Sequence, residues 1–149
     1  KLLAGGDLLS VCRRLQVIAS EDIGQAYPLA PVIVYACTQS AKELGLPEAA
    51  IPLSNATALL ATYPKSNAAH VAYEKALADV EAGLGIDPPT HLQSPLFRGY
   101  KYPHDFPNHY VRQEYLPTDL KGKKYYEFGT SKTEQLAKAY YDMIREGKK

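Results

Sequence analysis

The chain has 149 residues, is 46% hydrophobic and carries 17 Lys plus Arg against 16 Asp plus Glu, a formal net charge of +1. That length suits one domain burying roughly two thirds of its unfolded surface, and the near-neutral balance excludes a global field drawing the chain to nucleic acid or an anionic membrane. No apolar run approaches the roughly 18 residues of a membrane span, and the start Lys1-Leu2-Leu3-Ala4-Gly5-Gly6 lacks the apolar core of a secretion signal, so a cytoplasmic protein is expected.

The first helix is expected over 7–21. Asp7 can cap it, Leu8, Val11, Cys12, Leu15, Ile18 and Ala19 recur at three- and four-residue steps, and Gly24 should stop it. A second helix over 28–44 starts where Pro28 and Pro31 are tolerated and ends at Gly45. Val32 to Cys37 is apolar on every side, which places this helix at the centre of the core. Pro47 and Pro52 bracket a turn, and a third helix over 53–63 directs Ala56, Leu59 and Leu60 inward before Pro64 ends it. Ser66 caps a fourth helix over 66–82. There Ala69, Ala72, Ala76 and Val80 form a stripe alongside Val71, Tyr73 and Leu77, and Gly83 terminates it. The frequent alanines favour close helix contact, and Cys12 and Cys37 read as buried free thiols.

From 84 to 130 the periodicity is lost. Residues 99–128, GYKYPHDFPNHYVRQEYLPTDLKGKKYYEF, hold six of the twelve tyrosines, two of the three phenylalanines and three of the eleven prolines. Such a long irregular stretch inside a domain is unusual, and so many rings are costly to leave in water, so the segment should lie packed on the bundle. A last helix over 131–146 follows, announced by the capping box Ser131-x-x-Glu134 and carrying Leu136, Ala139, Tyr140 and Met143 at helical spacing up to Gly147. The expectation is an all-α helical bundle. With Lys1 first and Met143 the only methionine, the chain reads as a piece of a longer protein.

No catalytic constellation emerges. Gly122-Lys123-Lys124 looks like the end of a phosphate-binding loop, but Pro117 stands where its first glycine belongs and Lys124 where a metal-holding Ser or Thr belongs. His104, Asp105 and His109 are ligand types, yet they sit in a proline-containing loop without cysteines or a fixed helical face, so no metal is expected. His70 reads as a packing residue within a helix and His91 as a loop residue. Ser20-Glu21-Asp22 reads as a cap for the following turn, with no partner for acid–base work.

The residues left as candidate partner or DNA contacts are Tyr100, Lys101, Tyr102, Arg112, Lys121, Lys123 and Lys124, interleaved with Tyr110, Tyr115, Tyr125 and Tyr126. Cations among rings can hold a nucleic-acid backbone while bases stack. The same mixture suits a protein interface, or rings packed inward with lysine heads in water.

Four segments in series carry a resemblance. They are Ile18-Ala19-Ser20-Glu21-Asp22-Ile23-Gly24, Pro64-Lys65-Ser66-Asn67-Ala68, Gly99-Tyr100-Lys101-Tyr102-Pro103-His104-Asp105, and Tyr115-Leu116-Pro117 with Leu120, Gly122 and Tyr125-Tyr126-Glu127. Together they resemble the C-terminal region of the replication-associated recombination protein A (RarA/MgsA) family of AAA+ ATPases, related to the WRN-helicase-interacting ATPases. Phe128 stands where the family pattern has a proline, and the match loosens beyond Gly129.

The resemblance implies a single C-terminal domain over 1–149, similar to the collar that follows the AAA+ core of clamp loaders and serving to oligomerise the protein, as a tetramer. It implies an N-terminal AAA+ core outside this chain that binds ATP and Mg²⁺, is stimulated by DNA and acts at stalled replication forks. Single-strand-binding protein is an implied partner, and a nucleoid location at forks is implied. No nucleotide-binding residue carries over to this sequence, so the chain itself should be non-catalytic, without a cofactor of its own. A DNA-binding module using 99–126 is the alternative.

Overall fold

Asp7 starts the first helix by accepting the Ser10 N–H at 3.0 Å on its side-chain Oδ1, which satisfies one donor that the first turn would leave unpaired. In the computed structural model, which describes residues 1–95 and 97–146, the α-helices are α1 (Leu8–Ile18), α2 (Ala30–Leu44), α3 (Ala50–Thr62), α4 (Ala68–Glu81) and α5 (Lys132–Glu146). There is no strand among the described residues, so the fold is all-α. Gly147, the expected stop of α5, lies outside the described residues. Contacts divide the chain into two units, Lys1–His70 with Phe128–Gln135, and Val71–Glu127 with Leu136–Lys149, of which 136–146 are described.

The first unit holds the apolar core. Cys12 and Leu15 of α1 continue into Ala19 and Ile23, four positions on one side of the chain at steps of three and four. They do so because α1 passes into a wider π-helical turn, Ala19–Ile23, instead of stopping. Gly24 ends that turn at φ +47°, in the left-handed region that glycine enters without steric penalty.

α2 contributes Ala30, Val34, Cys37, Thr38 and Ala41 to the core, a single face. α2 packs against α1 and α3, as a central helix should, but its apolar outer side is exposed: Val32 by 63% and Tyr35 by 56%. Two neighbours, α1 and α3, cover only the inner stripe of α2. Thr38 is the polar member of that stripe, and its hydroxyl donates to the Tyr35 carbonyl at 2.8 Å and accepts from Gln16 Nε2 at 3.1 Å. Both thiols, Cys12 and Cys37, are buried and free.

α3 starts at Ala50, earlier than the expected 53, because Pro52 falls within the first turn, where the missing N–H breaks no helical bond. It buries Leu53, Ala56 and Leu60, with Leu59 packed partly against the same cluster, and Tyr63 turns extended ahead of Pro64.

α4 differs from its expected role. None of its residues is buried, and Tyr73, Leu77 and Val80 are exposed at 63%, 38% and 63%.

In the second unit the chain between α4 and α5 forms short 3₁₀ turns at Thr90–Leu92, Pro103–Asp105, Pro107–His109 and Thr118–Leu120. Val111 and Leu120 are its buried apolar anchors. Leu120 lies so close to Gly85 that a Cβ there would meet Leu120 Cδ1 at 2.8 Å. Asp119 Oδ2 accepts the Gly85 N–H at 2.8 Å, and Gln113 clamps the Lys101 main chain, accepting its N–H at 3.1 Å and donating to its carbonyl at 2.7 Å. Hydrogen bonds therefore do much of the fastening that the rings were expected to do. Tyr100, Tyr102, Phe106 and Tyr115 stay exposed, while Tyr110, Tyr125 and Tyr126 are half-buried.

Candidate functional site

Two of the four signature segments meet at Ser66. The Ser66 N–H donates to the Asp22 carbonyl at 2.7 Å, a carbonyl that the end of the π-turn frees from helical pairing. The Ser66 carbonyl sits where a Cβ on Gly24 would be, 2.6 Å away. Its hydroxyl accepts the Ala68 N–H at 3.4 Å, the weak cap of α4, and donates to Glu134 Oε1 at 2.8 Å.

Glu134 is 1% exposed. Its Oε1 also accepts the Gly129 N–H at 3.0 Å and its Oε2 accepts the Ser131 hydroxyl at 2.9 Å, while Ser131 Oγ caps the Glu134 N–H at 3.2 Å. Ser131 thus caps α5, and the Glu134 carboxylate points inward to collect donors from Ser66 and Gly129 as well. A buried carboxylate is tolerated when several donors replace its water. Nearby, His70 Nε2 stands 3.8 Å from Glu21 Oε1 at the edge of the π-turn. The arrangement holds three chain segments together.

The other two signature segments lie in the second unit, and the fourth is bonded to the second half of α4. Asp79 accepts Lys123 Nζ at 2.5 Å and the Tyr125 hydroxyl at 2.8 Å, and Lys75 Nζ donates to Glu127 at 2.8 Å. The Lys123 and then the Tyr125 hydrogen bond hold the Asp79 carboxyl below its ordinary range. Burial, followed by the bond to Asp79, pushes the Tyr125 phenol up, and the Lys75 ammonium lowers Glu127.

Of the sequence-derived contact candidates, Lys123 is therefore engaged by Asp79, although its stem stays exposed. Lys121 and Lys124 are exposed on either side of the Gly122 turn, which has φ +80°. Tyr100, Lys101, Tyr102 and Arg112 are exposed too, and the Gln113 clamp brings the Lys101 backbone beside the stretch that carries Arg112.

One grouping lies outside that candidate set. The Tyr102 and His104 ring centroids are 5.1 Å apart and the His104 and His109 centroids 4.9 Å apart. His104 and His109 entered the sequence reading only as metal-ligand types; the alternation of rings with Pro103 and Pro107 was the signal that could have found the row. Among the described residues no three His, Cys, Asp or Glu side chains gather as a metal-holding group. Nor do these residues fit a nucleotide with its Mg²⁺: in the Gly122-Lys123-Lys124 stretch the only lysine at the phosphate-loop position is paired with Asp79.

The family model described as MgsA AAA+ ATPase C terminal matches residues 1–145. Replication-associated recombination protein A of Bacillus subtilis (strain 168) is 45% identical, over 99% of this chain and 38% of its own length. The protein of the same name from Escherichia coli (strain K12) is 36% identical over 84% of this chain and 30% of its own length. ATPase WRNIP1 of Dictyostelium discoideum is 30% identical over 85% of this chain and 16% of its own length. The all-α fold and the Ser66 junction of two signature segments thus have a family setting: the chain belongs to the MgsA AAA+ ATPase C-terminal family. It spans about a third of the length of the bacterial relatives it matches. No helix among the described residues is long and apolar enough to cross a membrane.

Proposed function

We propose that this chain is the self-assembling C-terminal domain of a DNA-stimulated AAA+ ATPase that serves replication, recombination and repair at stalled forks, and that it assembles as a tetramer. The observation that carries the self-assembly is the unpartnered apolar stripe on each helix of the second unit. Tyr73, Leu77 and Val80 on α4, and Leu136, Tyr140 and Met143 on α5, recur at steps of four and three and are exposed, Leu136 at 64% and Tyr140 at 61%. A helix stripe of that kind ordinarily faces a core or another helix, and contiguous exposed apolar surface marks an association site.

ATP and Mg²⁺ belong to an N-terminal core that the longer relatives have room for, and this chain is non-catalytic. DNA reaches the domain through that parent, and single-strand-binding protein is a partner at the fork, in the cytoplasm at the nucleoid. Sedimentation equilibrium of the chain tests the assembly. Leu136→Asp with Tyr140→Asp should lower the mass while leaving the helical circular dichroism intact; an unchanged mass in the double variant removes the α5 stripe from the interface.

A further inference from the structure

We propose that the paired turns Pro103–Asp105 and Pro107–His109 present a stacking platform for single-stranded nucleic acid, built from the Tyr102, His104 and His109 rings. The two turns pack against each other, which sets the three rings in a row at centroid spacings of 5.1 and 4.9 Å. All three are exposed, Tyr102 by 53%.

The backbone is held in an uncommon shape to achieve this. Asn108 and His109 are consecutive residues at φ +57° and +51°. Left-handed backbone costs a non-glycine residue roughly 1–2 kcal/mol, and Asn and His are among the types that enter it most readily. The turn delivers the His109 ring to the end of the row, 4.9 Å from His104.

The surroundings fit a strand of bases better than a peptide. Phe106 and its neighbours 104–109 are all exposed, so these turns present rings on the surface. Two exposed cations flank the row in sequence, Lys101 before it and Arg112 after it, and the Gln113 clamp brings the Lys101 backbone beside the stretch that carries Arg112. Asp105 and Glu114 balance that charge formally. Ring stacking, which accepts any base, therefore supplies more of the binding than phosphate contact does. The salt dependence is accordingly shallow, with a log–log slope of about −1 to −2 from two cations.

The test is fluorescence anisotropy of the 149-residue chain with labelled oligothymidylate about 15 nucleotides long, within the range of single-strand site sizes, beside an abasic strand of equal length. Thymidylate should bind and the abasic strand should bind at least about fivefold more weakly, the effect expected of one lost stack. His109→Asn keeps a residue that tolerates the left-handed backbone but removes the ring. Combined with His104→Ala it should weaken thymidylate at least about fivefold, with helicity and sedimenting mass unchanged. Tyr102→Phe should retain binding and Tyr102→Leu should lose it. Equal affinity for the abasic strand, indifference to ring removal, or no binding at about 100 μM, the weak end of non-specific affinities, overturns the platform. Because mass is read separately, none of these outcomes bears on self-assembly.

Discussion

Ser66 and Glu134, sixty-eight positions apart, share a 2.8 Å hydrogen bond in which the serine hydroxyl donates to a fully buried carboxylate. The same carboxylate takes the Gly129 N–H and the Ser131 hydroxyl. Removing it strands these donors together. Glu134→Ala should therefore destabilise the fold by about 2–4 kcal/mol, several partly desolvated groups at once. Ser66→Ala, which leaves Glu134 the Gly129 N–H and the Ser131 hydroxyl, should cost about 1–2 kcal/mol. Urea denaturation followed by circular dichroism measures both; equal, near-zero effects would mean that the junction contributes no stability.

Glycine substitutions should rank by what a Cβ would meet. Gly24→Ala combines φ +47° with a backbone carbonyl 2.6 Å away, which cannot rotate aside. Gly122→Ala meets nothing within 4 Å and bears only the φ +80° strain, about 1–2 kcal/mol. Gly129→Ala pushes on Glu134 Oε2 at 2.6 Å and should reproduce part of the Glu134→Ala effect. The expected order of destabilisation, with Gly24→Ala above Gly122→Ala, is read from urea midpoints, and the reverse order would contradict the close approach at Ser66.

The Asp79 hub predicts a particular acid response. Its carboxyl has a folded pKa below the unfolded value because Lys123 and Tyr125 donate to it, so the unfolded state binds the extra proton as pH falls. The stabilisation is present above the unfolded pKa of about 3.9 and is lost as pH drops through the lower folded value. Wild type and Asp79→Asn should accordingly differ most near neutral pH and converge below about pH 4. Tyr125 has the opposite sign: its raised pKa leaves its contribution intact up to about pH 10 and removes it above. Denaturation midpoints across pH check both, and a gap that widens toward acid would reverse the assignment.

What could be read from the sequence follows the range of each interaction. Helix starts and stops were legible where the determinant is local: Asp7 reaching Ser10, Ser131 capping Glu134, Gly45 ending α2 and Pro64 following α3. The exposed outer side of α2 was not, because an apolar Val32 or Tyr35 declares no neighbour. Nor was the inward turn of Glu134, whose partner Ser66 is remote, or the capture of Lys123 by Asp79 from 44 positions away. The tyrosine-rich segment was expected to pack through its rings; Gln113, Asp119 and Asp79 hold it instead, and polar side chains carry no periodicity from which such pairings can be read. The family was legible from the four signature segments, whose order is itself a long-range constraint.

The exposed stripes on α4 and α5 put self-assembly at the centre of the functional account. Sedimentation equilibrium at micromolar to high-micromolar concentration tests it most directly. The account predicts a mass of four chains, lowered by the Leu136→Asp, Tyr140→Asp pair; a monomer across that range would contradict it.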